Sequence, residues 1–253
     1  MDFLANDSYK TANGECVIKF EEAGALTKAR VDRMLDAIGS DCKSIKVYIG
    51  EGVTEIGNAA FSACSRLTSI EIPQSVEIIG RHAFSSCTSL KSIVIPEKVK
   101  VIGEYTFRYC TALEEVVLPQ GLEIIGNYGF SECYGIKSIN LPSSLTKISD
   151  YAFYCCKGLT SIKIPSGIKE IEYRSFYKCV ALERVELSEG VKTIENFAFF
   201  CCTSLKSINL PNGLETIGFG AFDGCISLAQ VTIPESVTKI HENAFLGCPF
   251  TQD

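Results

Sequence analysis

The chain has 253 residues, 46% hydrophobic and 21% charged, which gives it enough apolar material for a substantial core and excludes a disordered polymer. Lys plus Arg number 24 against 30 for Asp plus Glu, and the net charge of -6 excludes a nucleic-acid surface, which needs a basic excess to track phosphates. Uncharged apolar runs reach about half a dozen residues where a bilayer-spanning helix needs roughly 20, which excludes membrane insertion by a helix.

The opening MDFLANDSYK has no basic region followed by an apolar stretch, so no secretory signal is expected in this sequence. Gly14 to Phe20 (GECVIKF) then reads as a strand. Leu26, Val31, Met34, Leu35 and Ile38 fall mostly at helical spacing, with Thr27 as a cap and Gly39 as a stop. Residues 1–41 lie outside the repeat that follows and are expected to form a strand-helix cap over its open end, with residues 42–253 as the repeat domain.

From there one interval governs the chain. Phe61, Phe84, Phe107, Phe130, Phe153, Phe176, Phe199, Phe222 and Phe245 fall 23 residues apart, and a cysteine follows each by three, from Cys64 to Cys248. Between them recur positions such as Leu67, Ile70, Ile72, Pro73, Val76 and Ile79, so that a unit reads L-x-x-I-x-I-P-x-x-V-x-x-I-G-x-x-A-F-x-x-C. Self-similarity at such a period marks a solenoid. Leu67 to Ile72 has the period of two of a half-buried strand, which Pro73 ends because proline lacks the ladder donor. Gly-x-x-Ala-Phe-x-x-Cys suits one turn of tight helix, and the small residue before each phenylalanine suits a crowded position between coils.

A 23-residue coil cannot bury its own apolar face, so the strands must stack in parallel at about 4.8 Å, and nine coils run on the order of 43 Å. The fold class is therefore α/β: a single right-handed solenoid of about nine coils with one core. Its inner columns are Leu67, Ile70, Ile72, Val76, Ile79, Phe84, Cys87 and their equivalents. The sequence stops five residues after Cys248, which leaves the last coil barely covered and anticipates a packing partner or a longer chain.

Units such as LTSIEIPQSVEIIGRHAFSSC (67–87) and LKSINLPNGLETIGFGAFDGC (205–225) resemble the BspA-like leucine-rich repeats of bacteria and protists, over roughly residues 45–248. Gly50 and Ser188 depart from the pattern at the proline, and Ser149, Glu172, Glu195 and His241 at the glycine. The resemblance implies a curved solenoid of the kind found in cell-surface proteins proposed to mediate adhesion to host proteins or other cells. It implies no catalytic residues and no cofactor.

The cysteine column could in principle pair or hold a metal, but a position filled once per coil is what packing looks like, and buried free thiols are expected. Cys155 and Cys201, which precede column members, are the expected exposed thiols. His82 and His241 are about seven coils, roughly 34 Å, apart and share no site. Gly218 to Gly224 misses the spacing of a phosphate loop.

Aromatic residues outside the phenylalanine column carry more. Tyr105, Tyr128, Tyr151 and Phe197 lie two positions before it and Tyr154, Tyr177 and Phe200 one after. Other coils place Ala59, Asn243, Ser62, Ser85 or Asp223 there, so the repeat does not demand rings. Tyrosine gives contact area and a polar handle at low entropy cost, which makes these seven residues the candidate partner-binding surface, unless they only shield the edge between coils. The rival surface is the outward strand face, where Val94 and Val117 form an apolar pair.

The functional expectation is a non-catalytic protein-interaction or adhesion module, monomeric, that binds a host or cell-surface protein and uses no metal or cofactor. The alternative is a structural spacer or scaffold within a larger surface assembly. An enzyme would need a catalytic constellation that these columns do not supply.

Overall fold

A computed structural model gives the structure of the protein and describes residues 7–249. The strand Ser8–Ala12 folds back antiparallel on Glu15–Phe20 through Asn13-Gly14, both at positive φ (51° and 77°), as a tight hairpin turn of matching twist requires. The expected helix runs over Lys28–Ile38; the Thr27 side chain accepts from the Arg30 N–H at its start, and Gly39 at φ 67° ends it.

Glu15–Phe20 pairs in parallel with Ser44–Ile49, which pairs with Leu67–Glu71, so the hydrogen-bonded ladder runs unbroken from the amino-terminal segment into the repeats. Cys16, Ile18, Phe20, Leu26, Val31 and Met34 belong to the same buried core as the columns that follow. The segment is thus built like an enlarged first coil, in which a helix takes the place of a turn. Cys16 and Cys42, fully buried at its two ends, form a disulfide with Cα atoms 5.9 Å apart, which the sequence reading did not anticipate.

In the repeats the first strands pair in parallel with their 23-residue equivalents in two runs, Ser92–Glu115 and Ser161–Arg184–Ser207–Gln230, while residues 138–140 between them carry no strand. A turn closed by Val76 N–H to the Pro73 carbonyl (3.2 Å) follows the first strand. A second parallel ladder, unforeseen from the sequence, then forms at the residues before the glycine position, as in Glu170–Thr193–Thr216–Lys239. Leu67, Val76, Phe84 and Cys87 are 0% exposed, Ile79 4% and Ile70 7%, while Ile72 is half-buried.

The Gly-x-x-Ala-Phe-x-x-Cys segment is not the expected helical turn. Ala83 N–H does bond the Gly80 carbonyl and Cys87 N–H the Phe84 carbonyl, but His82 and Ser86 sit at φ 56° and 61°. Left-handed residues break the helical path and turn the intervening N–H groups outward, so that Phe84 N–H reaches the Thr106 carbonyl of the next coil (2.9 Å). Tight turns therefore make a third ladder between coils, and Lys28–Ile38 is the one α-helix among the described residues.

Inside, the phenylalanines stack nearly parallel at 5.2–5.6 Å from Phe61 to Phe245. Beside them each column thiol from Cys87 to Cys225 donates to the carbonyl of the phenylalanine 26 residues earlier, at 3.0–3.2 Å. Cysteine is here a small hydrophobe with a donor, filling the gap and bonding a buried backbone oxygen together. Cys64 to Cys225 are buried free thiols, and Cys248 in the last described coil is half-buried.

Truncating a mid-column ring, Phe153→Ala, is expected to cost about 3 to 5 kcal/mol, since the ring is fully buried between two neighbours. Urea denaturation measures it, and an unchanged midpoint would remove the column from the core. Alkaline titration tests the thiols. Burial raises Cys87, Cys133, Cys179 and Cys202 well above the ordinary 9.0 and pushes Cys110 up to about 12. Above 9.0 the unfolded chain loses protons that the folded chain keeps, so the contribution is fully present below that pH and is lost as pH rises toward the folded values. The thermal midpoint should fall through this range, less steeply in a Cys110→Ala/Cys133→Ala variant; equal slopes would count against the assignment.

Candidate functional site

Two columns of the solenoid hold their backbone in the left-handed region. The first comprises Ala59, His82, Tyr105, Tyr128, Tyr151, Arg174, Phe197, Gly220 and Asn243, at φ 51–58°. The second runs from Ala63 through Tyr109, Glu132, Cys155, Lys178 and Cys201 to Gly247. Glycine and asparagine occupy such positions with least strain, whereas other L-residues pay about 1–2 kcal/mol. Tyrosine in three successive coils of the first column is thus opposed by the local backbone and must be compensated.

Stacking is the compensation. His82, Tyr105, Tyr128 and Tyr151 form a ladder with centroids 4.6, 4.7 and 4.4 Å apart and planes within 12°. A second ladder, Tyr154, Tyr177 and Phe200, has spacings of 5.1 and 4.8 Å. Tyr151 meets Tyr154, and Phe197 meets Phe200, each at 5.7 Å, so the structure brings all seven predicted residues into one connected network. Tyr173 and Phe219 join it edge-on. All seven are half-buried: each ring covers its neighbour's face.

Sequence reasoning missed the cations in this belt. Arg108 lies 5.6 Å from the Tyr105 centroid, 4.9 Å from Tyr109 and 6.0 Å from Tyr128, and pairs with Glu132 at 3.8 Å. Arg174 fills the rung between Tyr151 and Phe197, a position that ring chemistry alone does not mark. Tyr134 donates to Glu132 Oε2 at 3.3 Å, and burial followed by the Glu132 charge pushes its hydroxyl up to about 12. Tyr154 is also raised to about 12, first by burial and then by Cys155, so both phenols remain neutral donors at physiological pH.

One thiol expectation is overturned. Cys201 is half-buried, but Cys155, at the same φ of 55°, is buried at 9% exposure, with its thiol against the Tyr154 hydroxyl.

The rival strand face presents Val94 (56% exposed) beside Val117 (55%), partners in the parallel ladder. Two open concavities of about 740 and 850 Å³ lie further along this face, lined mainly by polar residues such as Ser161, Lys163, Arg184, Glu186 and Asn209. A second apolar column, Ile78, Val101 and Ile124, lies on the other sheet and escaped the sequence reading because each residue sits next to a buried partner that masks the period.

A family model described as BspA type leucine rich repeat region matches residues 36–156 and 123–251. Among solved structures the chain is similar to a leucine rich repeat protein of T. pallidum, with 25% identity over 88% of this chain and 87% of the other and a TM-score of 0.59. It is also similar to a leucine-rich repeat protein from Bacteroides ovatus, at 26% identity, 98% and 92% coverage and a TM-score of 0.55. A leucine rich cell surface protein from Faecalibacterium prausnitzii shares the fold at 24% identity, 96% and 85% coverage and a TM-score of 0.54. No curated protein sequence matches the chain.

The balance between backbone strain and stacking is measurable. Tyr128→Asn removes two stacking contacts, each about 0.5–1.5 kcal/mol, and relieves about 1–2 kcal/mol of left-handed strain, so its net effect on stability should lie between a gain of about 1 and a loss of about 2 kcal/mol. A loss as large as that of a core phenylalanine would make the ladder a structural element.

Proposed function

Because the chain belongs to the BspA type leucine-rich-repeat family, we propose that it is a non-catalytic interaction module of the adhesion type, recognising a protein partner through its aromatic belt. The observation that carries this reading is the ring network itself, built in successive coils on positions where the backbone favours glycine or asparagine. A spacer or scaffold needs no strained rings, and strain that local structure does not require concentrates at functional sites. Half-buried tyrosines held by their neighbours lose little freedom on binding, and Tyr and Arg dominate binding hot spots.

The test compares three proteins of verified thermal midpoint on the same extract of host or cell-surface proteins. They are the native chain, a Tyr128→Ala/Tyr151→Ala/Tyr177→Ala belt variant and a Val94→Ser/Val117→Ser strand-face variant. Proteins retained by the native chain should be retained by the strand-face variant and lost from the belt variant, with a weakening of about 2 kcal/mol or more, roughly 30-fold. The reverse pattern would place recognition on the other side of the solenoid, equal retention by all three would remove it from both faces, and retention of nothing by any of them would favour the spacer.

A further inference from the structure

Arg174 occupies a rung of the tyrosine ladder. Its guanidinium carbon lies 5.0 Å from the Tyr173 ring centroid, 5.1 Å from Tyr177, 5.1 Å from Phe197 and 5.9 Å from Tyr151, so four rings surround one cation. Five of the other six arginines have anionic or carbonyl partners, and the sixth, Arg33, is exposed to solvent. Arg30 pairs with Asp7, Arg81 with Glu104, Arg108 with Glu132 and Arg184 with Glu186, while Arg66 donates to two carbonyls. Among the described residues Arg174 has no carboxylate within ion-pair distance, and its Nε is buried without a hydrogen-bond partner.

Taking the belt as the recognition surface, we propose that Arg174 is its anion-reading centre and receives the carboxylate of an acidic segment on the partner protein. The four rings strip water from the guanidinium and hold its plane, and because the residue is half-buried with its Nε enclosed, an in-plane acceptor meets it through the fork of its Nη groups. A planar carboxylate matches that fork in a bidentate way. The charge of the surroundings selects a monoanion over a phosphate. The Glu172 carboxylate, two residues before Arg174, is paired with Lys147 at 3.4 Å, and Lys178 is engaged over the Tyr177 ring at 5.4 Å, so no second cation joins Arg174. A dianion would meet one guanidinium and stay half-neutralised, whereas a single carboxylate is matched by one fork.

The probe is hexaglutamate, with hexaglutamine and inorganic phosphate as controls, followed in arginine side-chain NMR spectra of the full chain. The Arg174 Nε–H resonance is identified by its absence from an Arg174→Lys variant. It is expected to move with hexaglutamate and stay fixed with hexaglutamine. Binding should weaken about tenfold or more in both Arg174→Gln and Arg174→Lys, since the lysine keeps the charge and loses the fork. Equal binding of hexaglutamate by native protein and Arg174→Gln, a stationary resonance, or a shift produced by phosphate at lower concentration than by the peptide would each overturn the inference. Thermal melts establish that the variants fold. Should Arg174→Gln retain captured proteins that the belt variant loses, the belt reading stands and the role of Arg174 falls.

Discussion

Parallel stacking at constant register is the constraint on which the rest of this structure depends. A 23-residue coil has too little interior to close over its own apolar side chains, so every coil uses its neighbours as walls. Once strands such as Ser161 and Arg184 pair with equivalents 23 residues away, every side chain faces its own counterpart one rise further along. Each interior position must then be a residue that packs against itself. Phenylalanine meets the condition by stacking at 5.2–5.6 Å. Cysteine meets it by bonding backward to a phenylalanine carbonyl, which a valine of similar size would leave short of that bond.

The same register governs the surface, but with weaker demands. An outward position also repeats along the axis, yet water can solvate whatever stands there, so its occupants vary from coil to coil. In the first left-handed column alanine, histidine, tyrosine, arginine, phenylalanine, glycine and asparagine all occur. That variety shows the backbone accepting many residues at a modest strain. Register nevertheless converts any run of like residues into a ladder, so three tyrosines in successive coils stack without further design.

This difference explains what could be read from the sequence. The phenylalanine and cysteine columns, the strand before the proline and the helix Lys28–Ile38 were legible because identical residue types recur at one spacing or at helical periodicity. The left-handed columns were not, since their mixed occupants carry no compositional signal of φ. Hence the sequence alone predicts a helical turn where the chain makes left-handed ones. Cys16 and Cys42 lie outside the cysteine period, and only the fold of the enlarged first coil brings them together. The seven aromatic residues were found by their columns, whereas Arg174, in the same column, was passed over because the criterion was ring chemistry rather than position.

Position turns out to be the more informative criterion. Exchanging one tyrosine of a stacked series for arginine leaves the neighbouring rings where the register puts them, so the newcomer inherits a cage that no other element had to build. On an isolated loop the same cation would stay hydrated, and ordering four aromatic side chains around it would cost conformational entropy. Here that cost is already met by coil stacking, which holds the rings whether or not a ligand is present. A solenoid of this kind can therefore acquire a preorganised binding centre through a single exchange in an outward column, with the interior columns unaltered.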